Sequence, residues 1–345
     1  MSKSLEDVVQ NVADYTIQRD MESERWEKSV AISGLMATDY HTDVSRQLVD
    51  RAIDTQTSDG QFAYGWGDSP GEWARRADYD VEEYNPTTNA AVLATNALDF
   101  YEMSGDERYL DAVSRQYDYF ETVDRTSDGG ISRRDEWVEL FTEPLYFLCP
   151  FFVRFGLITD SSVPIDEAVK QVDVHTKHLR DDHAGLFRHI WRETPNTYPG
   201  GPFWSRGNGW ATMGLMETIR ALPQDHRARE RIVHILEETM DAIIDLQDDS
   251  GFWHLILDDS RTSLESSGTL MFVYTLKKGL QEGFLEGTRY EEAASRAMDV
   301  CTDVVNEEGA VRRVSKPPAS ANSPLGTTSY GQGSFLLAAS CFLND

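Results

Sequence analysis

Lysine is nearly missing from this chain of 345 residues: seven lysines stand against 25 arginines. Acids are not missing, and 59 Asp and Glu leave a formal net charge of -27 at pH 7. That charge excludes nucleic acid and anionic membrane as partners, because both would repel it. Cysteine is also scarce. Cys149, Cys301 and Cys341 are far apart and odd in number. They predict small buried residues in a reducing cytoplasm, not a disulfide framework. No Cys or His spacing matches a zinc site, so no metal is expected. No run approaches the roughly 18 apolar residues of a membrane span, and the N-terminus carries no apolar signal run. No Pro- or Ser-rich linker divides the chain, since Pro317-Pro318-Ala319-Ser320 reads as a loop. The expectation is one domain, residues 1–345, in the cytoplasm. Nothing in the sequence specifies an oligomeric state.

Hydrophobic residues make up 40% of the chain and aromatics 11%, enough for a large core. Helical periodicity dominates. It predicts helices over Leu5–Asp14, Trp26–Ala37 and Val44–Thr55, and later over Ala90–Met103, Glu107–Asp124, Ser267–Glu282 and Tyr290–Val305. Between helix pairs a polar-Gly-apolar loop returns. It occurs at Ser58-Asp59-Gly60, Ser127-Asp128-Gly129-Gly130, Asp182-His183-Ala184-Gly185, Asp249-Ser250-Gly251 and Asn306-Glu307-Glu308-Gly309. This is an internal repeat of helical hairpins. Six hairpins fit the length, which predicts an all-α (α/α)6 barrel; an open helical solenoid is the alternative. The repeated loops then gather on one rim, the natural place for a pocket.

The rim loops offer His189, Trp191, Trp204, Arg206, Asn208, Trp210, Trp253, His254 and Glu265, with Glu139 and Glu143 nearby. The densest stretch is Pro202-Phe203-Trp204-Ser205-Arg206-Gly207-Asn208-Gly209-Trp210, read as a loop feeding a helix that starts at Ala211. Indole faces stack on a sugar ring, and a guanidinium grips a carboxylate through two parallel hydrogen bonds. The same residues also suit a tight turn whose tryptophans plug the core. Glycosidic chemistry needs an acid and a base. Glu143 begins an apolar run, Glu143-Pro144-Leu-Tyr-Phe-Leu-Cys-Pro150. Burial would raise its pKa and make it a proton donor, while a helix N-terminus would pull the other way. A purely structural helix start, with Pro144 at the first helical position, also fits.

The stretches Gly185-Leu-Phe-Arg-His189, Phe203-Trp-Ser-Arg-Gly-Asn-Gly-Trp210, Gly251-Phe-Trp-His254 with Glu265-Ser-Ser-Gly268, Lys278-Gly-Leu-Gln-Glu-Gly283 and Tyr330-Gly-Gln-Gly-Ser-Phe-Leu-Leu-Ala338 resemble glycoside hydrolase family 105. These are the unsaturated rhamnogalacturonyl hydrolases, close to the unsaturated glucuronyl hydrolases of family 88. The resemblance runs in order from about residue 85 to 340. It implies an (α/α)6 barrel and removal of a 4,5-unsaturated uronic acid from the non-reducing end of short oligosaccharides. An acid protonates C4 of the vinyl ether, water adds at C5, and the hemiketal falls open. The resemblance implies no metal or organic cofactor. It places His189, Trp204, Arg206 and Trp210 along the substrate pocket, with Trp253 and His254 as further contacts.

Two residues depart from the family pattern. Glu143 stands where the family has its general acid/base aspartate, which moves the carboxylate by one methylene. Asn89 stands where the family has a second aspartate; it can hydrogen-bond but cannot act as a base. Asp78, Asp80, Glu82 and Glu83 lie nearby in sequence. The alternatives are a non-catalytic sugar-binding relative and a sugar epimerase, the latter on the strength of His189 and His254.

The composition generates a prediction of its own. Crowded surface acids repel one another, and 1 M salt screens that repulsion beyond about 3 Å. Few lysines and many acids mark a halophilic protein, against the alternative of an ordinary acidic one. Helical circular dichroism should therefore collapse on dialysis into dilute buffer; an intact spectrum there would contradict the halophilic reading.

Overall fold

The computed structural model describes residues 4–21, 26–62, 88–89, 91–133, 137–317 and 319–343. Its helices alternate along the chain between an outer and an inner layer. The outer helices are α1 (Leu5–Ile17), α3 (Thr42–Asp54), α5 (Glu107–Tyr119), α8 (Ser162–Leu179), α10 (Arg229–Ile244) and α12 (Thr288–Asp303). The inner ones are α2 (Trp26–Ala37), α4 (Ala91–Ser104), the consecutive pair α6 (Pro144–Phe147) and α7 (Cys149–Ile158), α9 (Ser205–Ala221), α11 (Ser266–Gln281) and α13 (Ser329–Leu343).

Sequence explains which helix goes where. The outer α5 buries Tyr109, Ala112, Val113, Gln116 and Tyr119, a stripe at helical spacing with charged residues between. The inner α13 buries every residue from Ser329 to Cys341. A helix buried all round needs neighbours on every side. It finds them because the inner layer closes: α2 packs on α4, α4 on α7, α7 on α9, α9 on α11, α11 on α13, and α13 returns to α2. This is the (α/α)6 barrel. The closing contact is tight. A Cβ on Gly333 would lie 2.2 Å from the Val30 carbonyl oxygen, and one on Gly34 would lie 2.6 Å from the Gly333 carbonyl oxygen.

The repeated glycines are the turns that end the outer helices. Gly60, Gly129, Gly185, Gly251 and Gly309 all have positive φ, between 70° and 97°, a region that glycine enters without strain. Side-chain amides pin four of these turns: Gln116 accepts from Phe62 N at 3.0 Å, Gln171 from Ile131 N at 2.8 Å, Asn208 from Phe187 N at 2.8 Å and Gln332 from Val311 N at 2.6 Å. Every such turn delivers the chain to the N-terminal end of an inner helix, so those ends share one mouth of the barrel. Short antiparallel strands decorate that mouth. β1 (Glu139–Phe141), β4 (Ile190–Arg192) and β5 (Thr197–Gly200) form a sheet in the order β1-β4-β5. Two-stranded pairs join β2 (Arg180–Asp181) to β3 (Leu186–Phe187), β6 (Trp253–His254) to β7 (Leu264–Glu265) and β8 (Val314–Ser315) to β9 (Leu325–Gly326).

The sequence expectation for α2 matches the structure end to end, and the other helices shift by a few residues at their ends. One expectation is corrected. The stretch before Ala211 is not a loop, because α9 already begins at Ser205. Its two glycines are poor helix formers, but they are where neighbours come close. A Cβ on Gly209 would lie 2.7 Å from the Met271 sulfur, and one on Gly207 would lie 3.1 Å from Thr142 Oγ1. Packing outweighs propensity here. Cys149, Cys301 and Cys341 are free and buried. No helix among the described residues is long and apolar enough to cross a membrane.

The α2–α13 crossing can be tested by adding one methyl. Gly333→Ala should destabilise the fold by roughly 1–3 kcal/mol through overpacking against backbone that cannot retreat. Thermal melting at constant salt reads this; an unchanged transition would show that the ring does not close through this contact.

Candidate active site

The mouth is built from the first residues of the inner helices. Trp26 opens α2, Glu143 immediately precedes α6, Trp204 and Arg206 flank the start of α9, Glu265 caps α11, and Tyr330 is second in α13. Helix N-termini expose N–H groups and carry partial positive charge, so the mouth favours anions.

Arg206 is the centre of this arrangement. It is only 2% exposed, and burying a guanidinium is costly unless it is matched. Its carbon lies 4.1 Å from the Trp204 ring centroid and 4.8 Å from that of Tyr330, a cation between two aromatic faces. Nη1 donates to the Ser315 carbonyl at 2.5 Å, to Ser315 Oγ, and to Ser267 Oγ at 3.2 Å. The Tyr330 hydroxyl donates to the same Ser315 carbonyl. Behind these serines, the fully buried Glu265 carboxylate accepts from Ser267 N at 2.7 Å, Ser267 Oγ at 2.6 Å and Gly268 N at 2.5 Å. It caps α11 and places a negative charge behind the arginine. Nε of Arg206 and Nε1 of Trp204 are buried with no hydrogen-bond partner among the described residues. Each such donor costs about 1–3 kcal/mol if left unmatched.

Beside Trp204 stands an acid pair. The His189 ring lies 4.5 Å from the Trp204 ring, and His189 Nε2 lies 3.0 Å from Glu143 Oε1. Phe141 meets the His189 ring edge to face at 5.3 Å. Thr142 Oγ1 donates to Glu143 Oε2 at 3.3 Å. Glu143 reaches this place because β1 runs straight into α6, with Pro144 as the first helical residue. The direction of its pKa corrects the sequence expectation. Burial does raise it, but the facing His189 and then the Arg133 charge outweigh burial and bring it from an ordinary 4.5 down to about 2. At rest Glu143 is a carboxylate, not a ready proton donor.

Trp210 forms the floor, 1% exposed, against Phe147 at 5.2 Å, Tyr146 at 5.3 Å and the edge of Trp26 at 5.8 Å. Trp26 stacks on Tyr330 at 5.0 Å. Asn208 is not a mouth residue; it ties α9 to β3 by accepting from Phe187 N and donating to Phe187 O. Asn89 is buried just ahead of α4, and its Oδ1 has no hydrogen-bond partner among the described residues. Asp78, Asp80, Glu82 and Glu83 lie outside the described residues.

The structure thus brings Glu143, His189, Trp204, Arg206 and Trp210 into one contiguous group. Trp253 and His254 go elsewhere. Trp253 is fully buried, donates Nε1–H to the Ile243 carbonyl at 2.7 Å and packs on Phe272. His254 binds the Thr262 carbonyl through Nδ1 at 2.7 Å and faces Asp248 at 3.5 Å. The two histidines invoked for epimerase chemistry therefore each have a separate partner. Trp191 stacks on His178 at 3.8 Å. Sequence reasoning missed Trp26, Arg133, Ser267, Ser315 and Tyr330 as parts of this group. The repeat register holds a signal for three of them, since Trp26, Ser267 and Tyr330 occupy the first or second position of an inner helix, as Arg206 does. No group of three or more His, Cys, Asp or Glu among the described residues has metal-binding geometry.

A family model described as Glycosyl Hydrolase Family 88 matches residues 1–343. The chain is 25% identical over 247 residues to unsaturated rhamnogalacturonyl hydrolase YesR of Bacillus subtilis, covering 69% of this chain and 70% of that one. It is 28% identical over 259 residues to an unsaturated 3S-rhamnoglycuronyl hydrolase of Formosa agariphila, covering 70% of this chain and 66% of that one. Its fold matches the crystal structure of a possible member of the GH105 family from Klebsiella pneumoniae with a TM-score of 0.83 at 20% identity, covering 100% of this chain and 94% of that one.

The Glu143–His189 pair has a thermodynamic signature. A carboxyl whose pKa is lower in the folded state stabilises the fold above its unfolded value, and that contribution fades as pH falls through the folded value. For Glu143 the window runs from 4.5 down to about 2. Urea unfolding of wild type and Glu143→Gln at constant salt should differ most at neutral pH. The gap should narrow by roughly 2 kcal/mol near pH 3. A gap that stays constant or widens on acidification would show that Glu143 is not held as an anion.

Proposed function

The chain belongs to glycosyl hydrolase family 88, and on that premise we propose that it removes a 4,5-unsaturated uronic acid from the non-reducing end of short oligosaccharides, of rhamnogalacturonan type or similar. The observation that carries this reading is Arg206, held between Trp204 and Tyr330 at a mouth formed by helix N-termini. A uronate is a flat, partly unsaturated ring with one carboxylate. The indole suits the ring, and the guanidinium suits the carboxylate. Nη2 of Arg206 has no hydrogen-bond partner among the described residues. It and the buried Nε are the two nitrogens that a bidentate carboxylate engages.

Bond breaking follows hydration of the vinyl ether. C4 gains a proton, C5 gains a water oxygen, and the water loses a proton, so the protein ends with the protons it began with. Glu143 and His189 act as one acid/base unit in this account. In that unit the proton given to C4 is delivered along the Nε2–Oε1 axis, and one from the attacking water replaces it. His189 answers the extra methylene of Glu143, because the longer arm ends on the imidazole. Asn89 offers hydrogen bonds at the same mouth and takes no proton.

The test is loss of the ultraviolet absorbance of the C4=C5 uronate when the protein meets lyase-generated disaccharides in high salt. Pectin-, ulvan- and glycosaminoglycan-derived substrates form the panel. Wild type should consume at least one of them, and Glu143→Gln should be slower by about 100-fold or more with an unchanged melting transition. Absorbance that persists across the whole panel would sink the proposal, and full activity in the variant would remove Glu143 from its role.

A further inference from the structure

The sheet that begins beside Glu143 and His189 continues outward from them. The ladder persists to Val138, whose carbonyl accepts from Glu193 N at 3.1 Å. Side chains alternate along a strand, so Phe141 and Glu139 share one side of β1, and Trp137 lies in the approach to it. Phe141 touches His189. Glu139 is buried and takes Arg192, with Nε at 2.7 Å and Nη2 at 2.6 Å from Oε1. The Arg192 guanidinium then lies 4.2 Å from the Trp137 ring centroid. A continuous row thus links the acid pair at one end to an indole at the other.

Trp137 is 40% exposed. Among the described residues, the large exposed apolar side chains include only two aromatics, Trp137 and Tyr198, and both belong to this sheet or its approach. They are not equivalent. Tyr198 ties its hydroxyl to the His178 carbonyl at 3.0 Å, on the side of α8. Trp137 is held instead by a cation that is itself fixed on a buried carboxylate. An exposed indole pinned in this way has little rotamer freedom left to lose, which lowers the cost of stacking a ring on it. At about 3.3 Å per residue, the six steps from Glu143 to Trp137 reach at most about 20 Å. A saccharide running along β1 away from Glu143 would meet the indole within that reach.

We propose that Trp137 is a stacking platform for the saccharide downstream of the released uronate, making the protein more effective on longer oligosaccharides than on disaccharides. The proposal rests on the hydrolase reading above and adds a site that selects for substrate length. Arg192 and Glu139 act as positioning residues, since they reach the saccharide only through the indole.

The experiment compares kcat/KM on unsaturated rhamnogalacturonan disaccharide and tetrasaccharide for wild type, Trp137→Ala and Trp137→Phe. Wild type should favour the tetrasaccharide. Trp137→Ala should lose about tenfold on the tetrasaccharide, mostly in KM, and stay within about twofold on the disaccharide. Trp137→Phe should recover much of the loss. Equal losses on both lengths, or a wild type indifferent to length, would overturn the proposal. Calorimetric binding of the tetrasaccharide to Glu143→Gln, with and without Trp137→Ala, reads the platform without turnover. Weaker binding in the double variant supports the platform even if the hydrolase reading fails, and equal binding overturns it.

Discussion

Burying the charge of Arg206 is the demand that organises the mouth of the barrel. A guanidinium away from water must be matched by acceptors, by aromatic faces, or by both. Here the match draws on four elements at once. Trp204 and Arg206 belong to the start of α9, Ser267 to α11, Ser315 to β8 and Tyr330 to α13. One cation therefore ties three consecutive inner helices together at their N-terminal ends. The same ends carry partial positive charge, which faces the Glu143 and Glu265 carboxylates at the same mouth.

The second dependence is the Glu143–His189 contact. A buried glutamate alone would be driven neutral by desolvation. The imidazole of His189, with Arg133 behind it, reverses that drive. The Trp204 ring lies 4.5 Å from the His189 ring and 4.1 Å from the Arg206 guanidinium carbon. A single indole thus contacts both the Glu143–His189 pair and the Arg206 guanidinium.

Much of this was legible in the chain. The glycines of the repeat have no freedom to be elsewhere, because a positive φ after five of the six outer helices suits them, and their spacing with the helical runs between revealed the hairpins. The helix Trp26–Ala37 was readable to the residue because its apolar positions are dense and its neighbours polar. The start of α9 was not readable. Gly207 and Gly209 weaken helix propensity locally, and only the closeness of Met271 and Thr142 explains their presence. The protonation of Glu143 was not readable either, since its controlling partner lies 46 residues away. Trp204 and Trp253 look alike in sequence, each an indole at the mouth end of a hairpin. What separates them is three-dimensional: one indole lies against a histidine and an arginine, while the other hands its N–H to α10 and disappears into the core.

The central claim is the proposal that Arg206 takes the carboxylate, and the Glu143–His189 pair the adjoining C4–C5 edge, of one unsaturated uronate ring. A crystal structure of Glu143→Gln soaked with an unsaturated rhamnogalacturonan disaccharide tests it most directly. The account predicts the uronate carboxylate within hydrogen-bond distance of Arg206, the ring face on Trp204, and the C4–C5 edge turned toward residue 143 and His189. A uronate seated with its carboxylate away from Arg206, or with that edge facing Trp26 and Tyr330 instead, would contradict it.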